Sequence, residues 1–154
     1  MSPGNAITQS FMSIPALLLD FPRPSSPEHT AAARHLGRQW PVFWQVGNVF
    51  FRPLSMLGFI GYTIAAVTSP SGRWVAYTIA AAAHLVTIGH SAVHMQPINE
   101  KLHALGKDRK DDDEAAVDMA AAEPMTRRWA RLNLLRVVLP LTAGTVALCE
   151  TMRH

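Results

Sequence analysis

Two groups of polar residues recur at helical spacing and carry the side chains that could do chemistry. His90 and His94 are four positions apart and therefore share one face of a helix. Trp129, Asn133 and Arg136 line one narrow face of a second helix in the same way. Histidine exchanges protons near neutral pH, and asparagine and arginine donate hydrogen bonds to anionic oxygens. The simplest arrangement turns these two polar stripes towards each other.

The same residues also have structural interpretations. His-x-x-x-His can supply two ligands of a metal site, but no third ligand is obvious within the helices and Cys149 is the only cysteine. We therefore predict no metal site. Asn133 could instead hydrogen-bond a neighbouring helix, and the Arg136 side chain could extend to a membrane surface.

Long apolar blocks must position these stripes. Residues 53–72 and 74–99 contain no charged side chain, and about 20 apolar residues suffice to cross a hydrocarbon core of about 30 Å. The block at 137–149 reaches that length only when Arg136 is counted inside it, and the first block is shorter. A soluble four-helix bundle is the alternative, but the second block lacks the polar stripe that a soluble helix shows.

We therefore predict an all-α fold, a four-helix transmembrane bundle that forms a single integral-membrane domain over residues 1–154. The predicted helices are 5–19, 51–68, 74–97 and 129–149. The aromatic-rich segment 32–51 is predicted to lie at the membrane interface before the second helix, because aromatic rings concentrate at headgroup depth. Most lysines and arginines lie in the first and third connections, which places these connections on the cytoplasmic side and both termini on the other.

The composition of the chain limits the kinds of partner that we expect it to bind. Only 16% of the residues are charged, against roughly 25% in ordinary soluble proteins. The chain has no stripe of basic residues interleaved with aromatics, so we predict no nucleic-acid partner. Membrane lipid is the expected surrounding, and a homo-oligomer is left open.

Three different motifs follow one another along the chain. They are Arg38-Gln39-Trp40 followed by Trp44-x-x-Gly47, then Pro97-x-Asn99-x-x-Leu102, and finally Trp129-x-x-x-Asn133-x-x-Arg136. In these motifs the chain resembles the small fungal anthrone oxygenases, four-helix membrane proteins of polyketide gene clusters. It departs from that family's usual pattern in its short first helix, in Asn48, and in the local sequence around His94 and Gln96.

The resemblance implies a cofactor-free monooxygenase of secondary metabolism in an endomembrane such as the endoplasmic reticulum. The substrate would be an aromatic polyketide, an anthrone, which O2 as co-substrate converts to an anthraquinone without flavin or metal. His94 would be the base, Asn133 and Arg136 would donate to the enolate oxygen, and Asn99 would orient the substrate. The substrate-binding side chains would be those of Trp129, Trp40, His90 and Trp44.

Two other functions use the same residues. The first is a cofactor-free isomerase, cyclase or dehydratase that acts on a related polyketide or terpenoid and needs no O2. The second is a non-catalytic membrane scaffold that holds or shuttles an apolar intermediate.

Overall fold

The computed structural model describes residues 8–69, 72–107 and 119–152, and these residues form helices without any strand. This confirms the prediction of an all-α fold. A short first helix, α1, consists of a π-helical turn at Gln9–Ser13 and an α-helical turn at Ile14–Leu17. Three long helices follow: α2 at His29–Thr68, α3 at Trp74–Ala104 and α4 at Ala122–Met152.

The three long helices have the length and composition to cross a membrane. Most of the exposed large apolar side chains lie between Val49 and Val93 or after Leu135. Such a surface is unfavourable in water but is expected where lipid covers it. This part of the bundle is called the membrane half below.

The first helix is predicted at 5–19, and residues 5–7 of that span lie outside the described residues. Its nine described residues extend about 14 Å at 1.5 Å per residue. Ile14 is buried in a core with residues of the other three helices. The described part of α1 therefore packs against the beginning of α2 and against α3 and α4.

The segment predicted to be interfacial is itself helical and continuous with the second span. It runs as an α-helix over His29–Val46, passes through a π-helical turn at Gly47–Phe51, and continues as an α-helix over Arg52–Thr68. The reason is amphipathic packing: Ala33, Leu36 and Trp40 recur at intervals of three and four residues and are all buried. Aromatic residues here cover a protein core as well as a membrane surface.

The third and fourth helices also extend past their predicted ends. Helix α3 continues through a π-helical turn at Ser91–Met95 to Ala104, beyond the predicted end at 97. Helix α4 begins at Ala122, ahead of the predicted start at 129. These extensions meet α1 and the start of α2 in a second region, called the head below, which has its own core around Trp40, Leu102 and Trp129.

Two close contacts between helices depend on glycine. A Cβ atom at Gly37 would overlap the backbone at Gly106, so α2 approaches the end of α3 closely only because neither residue has a side chain. In the membrane half a Cβ at Gly58 would lie 2.5 Å from the His84 ring. That ring stacks on Tyr62 at 5.6 Å between centroids, so His84 packs α3 against α2.

Candidate functional site

A small cavity lies where the head meets the membrane half. Its described lining comes from α2, α3 and α4, and combines aromatic walls with amides and two arginines. The lining residues are Phe43, Trp44, Gly47, Asn48, Arg52, Ser91, Met95, Gln96, Asn99, Trp129 and Arg136.

Two π-helical turns border this cavity from opposite helices. Gly47 and Asn48 belong to the turn in α2, and Ser91 and Met95 belong to the turn in α3. A π-helical turn inserts a residue into the helical repeat and is frequent at functional sites. Here each turn lies between the head part and the membrane part of its helix.

Arg136 is the buried cation of the cavity, with 8% of its surface exposed. Its guanidinium carbon lies 4.4 Å from the centroid of the Phe51 ring, and its Nη1 donates to the Met95 sulfur at 3.8 Å. Among the residues that the structure describes, Arg136 makes no ion pair, and its Nε is buried without a partner. Arg52 is close enough to interact with it electrostatically. The part of the cavity lining that the structure describes therefore holds two cations and no carboxylate.

Asn99 provides a neutral polar group at the same cavity. Its side-chain Oδ1 accepts hydrogen bonds from the indole N–H groups of Trp129 at 2.8 Å and of Trp40 at 3.1 Å. The two indoles meet edge to face, with 5.2 Å between ring centroids. Asn99 and Trp129 line the cavity, whereas the fully buried Trp40 lies behind them.

A chain of hydrogen bonds joins α2 to α3 at the cavity. Arg52 Nη2 donates to Gln96 Oε1 at 3.2 Å, and Gln96 Nε2 donates to Glu100 Oε1 at 2.9 Å. Arg52 and Glu100 are exposed, so this chain marks the mouth of the cavity.

The cavity is narrow in this conformation, since the centre of a water molecule can occupy only about 20 Å³ of it. This volume suffices for about one water molecule. A ligand with several rings therefore enters only when lining side chains move.

Four of the residues predicted for the site meet at this cavity. They are Asn99, Trp129 and Arg136, together with Trp44, whose indole N–H is buried without a described partner. Trp129 and Arg136 of the second polar stripe therefore line the cavity, whereas neither histidine of the first stripe does.

The other four predicted residues lie elsewhere. Asn133 is fully buried and donates to Ser10 Oγ at 3.0 Å, so it contacts α1. His90 Nε2 donates to the Leu132 carbonyl oxygen at 3.0 Å. His94 is exposed and Trp40 lies behind Asn99. None of the four is among the described residues that line the cavity.

His94 belongs to the π-helical turn at Ser91–Met95. Ser91 and Met95 are four positions apart and share the face of α3 that borders the cavity. His94 then lies to one side of that face, with its ring centroid 5.3 Å from that of His90. The described cavity lining accordingly contains no histidine and no carboxylate, and His94, the predicted base, lies outside it.

Sequence reasoning missed several members of the lining. Arg52 had a recognisable signal, because it is the cation that opens a long uncharged block. Ser91 also had one, as a polar residue in an apolar block beside His90, whereas the apolar Met95 had none. Within the described ranges, no group of three or more His, Cys, Asp or Glu residues could hold a metal ion.

A family model described as anthrone oxygenase matches residues 40–146, a range that contains every described residue of the cavity lining. A curated protein named anthrone oxygenase ptaC, from Pestalotiopsis fici (strain W106-1 / CGMCC3.15140), is 30% identical over 125 residues. The aligned region covers 77% of this chain and 86% of that relative. No solved structure matches.

Proposed function

The chain belongs to the anthrone oxygenase family, and we propose that it oxidises an anthrone-type aromatic polyketide to an anthraquinone with O2. The methylene carbon between the rings loses two hydrogens and gains one oxygen atom of O2, and the second oxygen atom leaves as water. The observation that carries the proposal is the buried Arg136, which faces the cavity without a carboxylate partner in the described chain.

The first step is loss of a methylene proton, which gives an anthrolate whose negative charge resides largely on the carbonyl oxygen. A cation and a fixed amide stabilise such an oxyanion more strongly inside a dry site than in water. Arg136 and Asn99 supply these two groups. Because the described lining holds no histidine or carboxylate, the proton passes to water at the mouth near Arg52.

The second step is reaction with O2. The anthrolate transfers one electron to O2, and the resulting radical and superoxide combine to form a peroxide at the former methylene carbon. The remaining proton on that carbon then passes to the outer peroxide oxygen as the O–O bond breaks, which leaves the new carbonyl and releases hydroxide. Hydroxide and the first proton make water, so the reaction balances without a flavin or metal. Phe43, Trp44 and Trp129 supply flat apolar walls.

The site suits a substrate that partitions between membrane and water. It lies where the exposed apolar surface of the membrane half ends and the head begins. A fused tricyclic phenol places its rings near the hydrocarbon and its oxygens near the headgroups. We propose that the protein works in this way in an endomembrane such as the endoplasmic reticulum, as part of secondary metabolism.

The test uses yeast microsomes that contain the full chain, supplied with an anthrone under air. The account predicts that the quinone absorbance appears faster than in microsomes without the protein, with one O2 consumed per quinone formed. Turnover without O2 uptake would instead indicate an isomerase, cyclase or dehydratase. No turnover of any anthrone tested would contradict the proposal.

A further inference from the structure

Trp40 is predicted from sequence to be a wall of the substrate site, and the structure places it differently. Its side chain is fully buried, it does not line the cavity, and its indole N–H points at Asn99 Oδ1. Trp129 donates to the same oxygen atom from the cavity side. Two indoles from two helices thus hold one amide.

This arrangement determines which end of the Asn99 amide faces the cavity. An asparagine side chain can exchange the positions of its oxygen and nitrogen by a flip of the amide. An indole N–H group can only donate a hydrogen bond, so each of the two tryptophans can pair only with the acceptor Oδ1 of the amide. A flipped amide would set two N–H groups against Nδ2. The amide group left for the cavity is therefore the Nδ2 hydrogen-bond donor.

We propose that Trp40 is a positioning residue that acts through Asn99, by keeping Nδ2 directed at the oxygen of the substrate. The inference rests on the proposed function and adds a specificity rule to it. With Asn99 Nδ2 and Arg136 both donating, this part of the cavity selects a hydrogen-bond acceptor that becomes anionic during the reaction. A ligand with a donor at the same position would meet two donors and bind poorly.

A double-mutant cycle separates this role from packing. Trp40→Phe keeps an aromatic ring against Trp129 but removes the N–H group, and we expect kcat to fall roughly five- to tenfold, the scale of one lost hydrogen bond. In an Asn99→Ala background, Trp40→Phe should change kcat less than twofold, because its target is gone. Trp74→Phe is the matched control, since Trp74 is exposed at the far end of the membrane half.

A second readout does not depend on turnover. The chain has four tryptophans, so selective ¹⁵N labelling of the detergent-solubilised protein gives one indole N–H signal for each. Asn99→Ala should shift the two signals that Trp40→Phe and Trp129→Phe delete, and should leave the Trp74 signal in place.

The outcomes are distinct. Equal losses of kcat from Trp40→Phe in both backgrounds would overturn the inference, because they would show that Trp40 acts only through packing. Unchanged indole signals in Asn99→Ala would overturn it as well. Shifted signals in a protein that oxidises no anthrone would overturn the proposed function and the substrate role of Trp40 together, and would leave only the geometry of the two indoles.

Discussion

The Arg136 guanidinium lies over the Phe51 ring, with its central carbon 4.4 Å from the ring centroid. An aromatic face attracts a cation without neutralising it. A carboxylate in the same place would form an ion pair and cancel the field in the cavity. The pairing therefore keeps Arg136 buried and ordered while its positive charge remains available to a ligand.

Arg52→Gln tests the second cation of the cavity. Because Arg52 is exposed at the mouth, we expect it to attract substrate and transition state about equally. The substitution should raise KM roughly two- to fivefold, the scale of an exposed charge interaction, with kcat nearly unchanged. Steady-state kinetics with an anthrone in microsomes measures both constants. A large fall in kcat at unchanged KM would show that Arg52 acts on the chemical step instead.

Asn133→Ala should affect stability and not chemistry. Asn133 donates to Ser10 in the contact between α4 and α1, away from the cavity. We expect a lower thermal unfolding midpoint in detergent, with a loss of about 1 kcal/mol for the hydrogen bond. The kcat of the folded fraction should stay within about twofold of the wild type, since the substitution removes no group from the cavity. Ser10→Ala removes the same bond from the other side and is the matched control. A hundredfold loss of kcat in Asn133→Ala, but not in Ser10→Ala, would show that Asn133 acts in the active site.

His94→Ala decides whether the predicted base has any role. The His94 side chain is exposed and is not part of the described cavity lining. We expect kcat to change less than about threefold, whereas removal of a general base typically costs about 10²–10⁴-fold. A loss of that size, with folding intact, would mean that the π-helical turn at Ser91–Met95 rearranges when substrate binds.

Trp129, Asn133 and Arg136 show which features of the site helical periodicity can predict from the sequence. Trp129 and Arg136 lie on a regular stretch of α4, so helical periodicity correctly placed them on one face. Asn133 belongs to the same stripe but lies at its edge, where it meets α1, and periodicity does not tell which neighbour each edge of a stripe contacts. All three residues of the stripe are buried, but only Trp129 and Arg136 line the described cavity.

The α3 side of the cavity was less accessible to prediction. The spacing of His90 and His94 predicts that they are neighbours, and their ring centroids lie 5.3 Å apart, but Ser91 and Met95 of the π-helical turn border the cavity in their place. Whether such a turn forms depends on packing against α2 and α4, which a local sequence pattern does not record. Asn99 could be identified as polar and buried, but its two indole donors come from residues 59 and 30 positions away.

Chelation tests the cofactor-free chemistry. We expect EDTA to leave the rate of quinone formation unchanged, because the proposed steps use only substrate, O2 and side chains of the cavity. The rate is measured after dialysis against EDTA, with dialysis against buffer as the control. A loss of activity that one specific divalent ion restores would contradict the proposed mechanism.

The most direct test of the central claim is the turnover of Arg136 variants, measured as O2 uptake and quinone formation by equal amounts of folded protein in microsomes. Arg136→Met keeps most of the side-chain bulk without the charge, and Arg136→Lys keeps the charge without the planar fork. We expect Arg136→Met to lower kcat roughly 10²–10³-fold, the scale of a lost oxyanion donor. The kcat of Arg136→Lys should lie between those of Arg136→Met and the wild type. Normal turnover by a folded Arg136→Met protein would contradict the claim that this buried arginine stabilises the reacting anion.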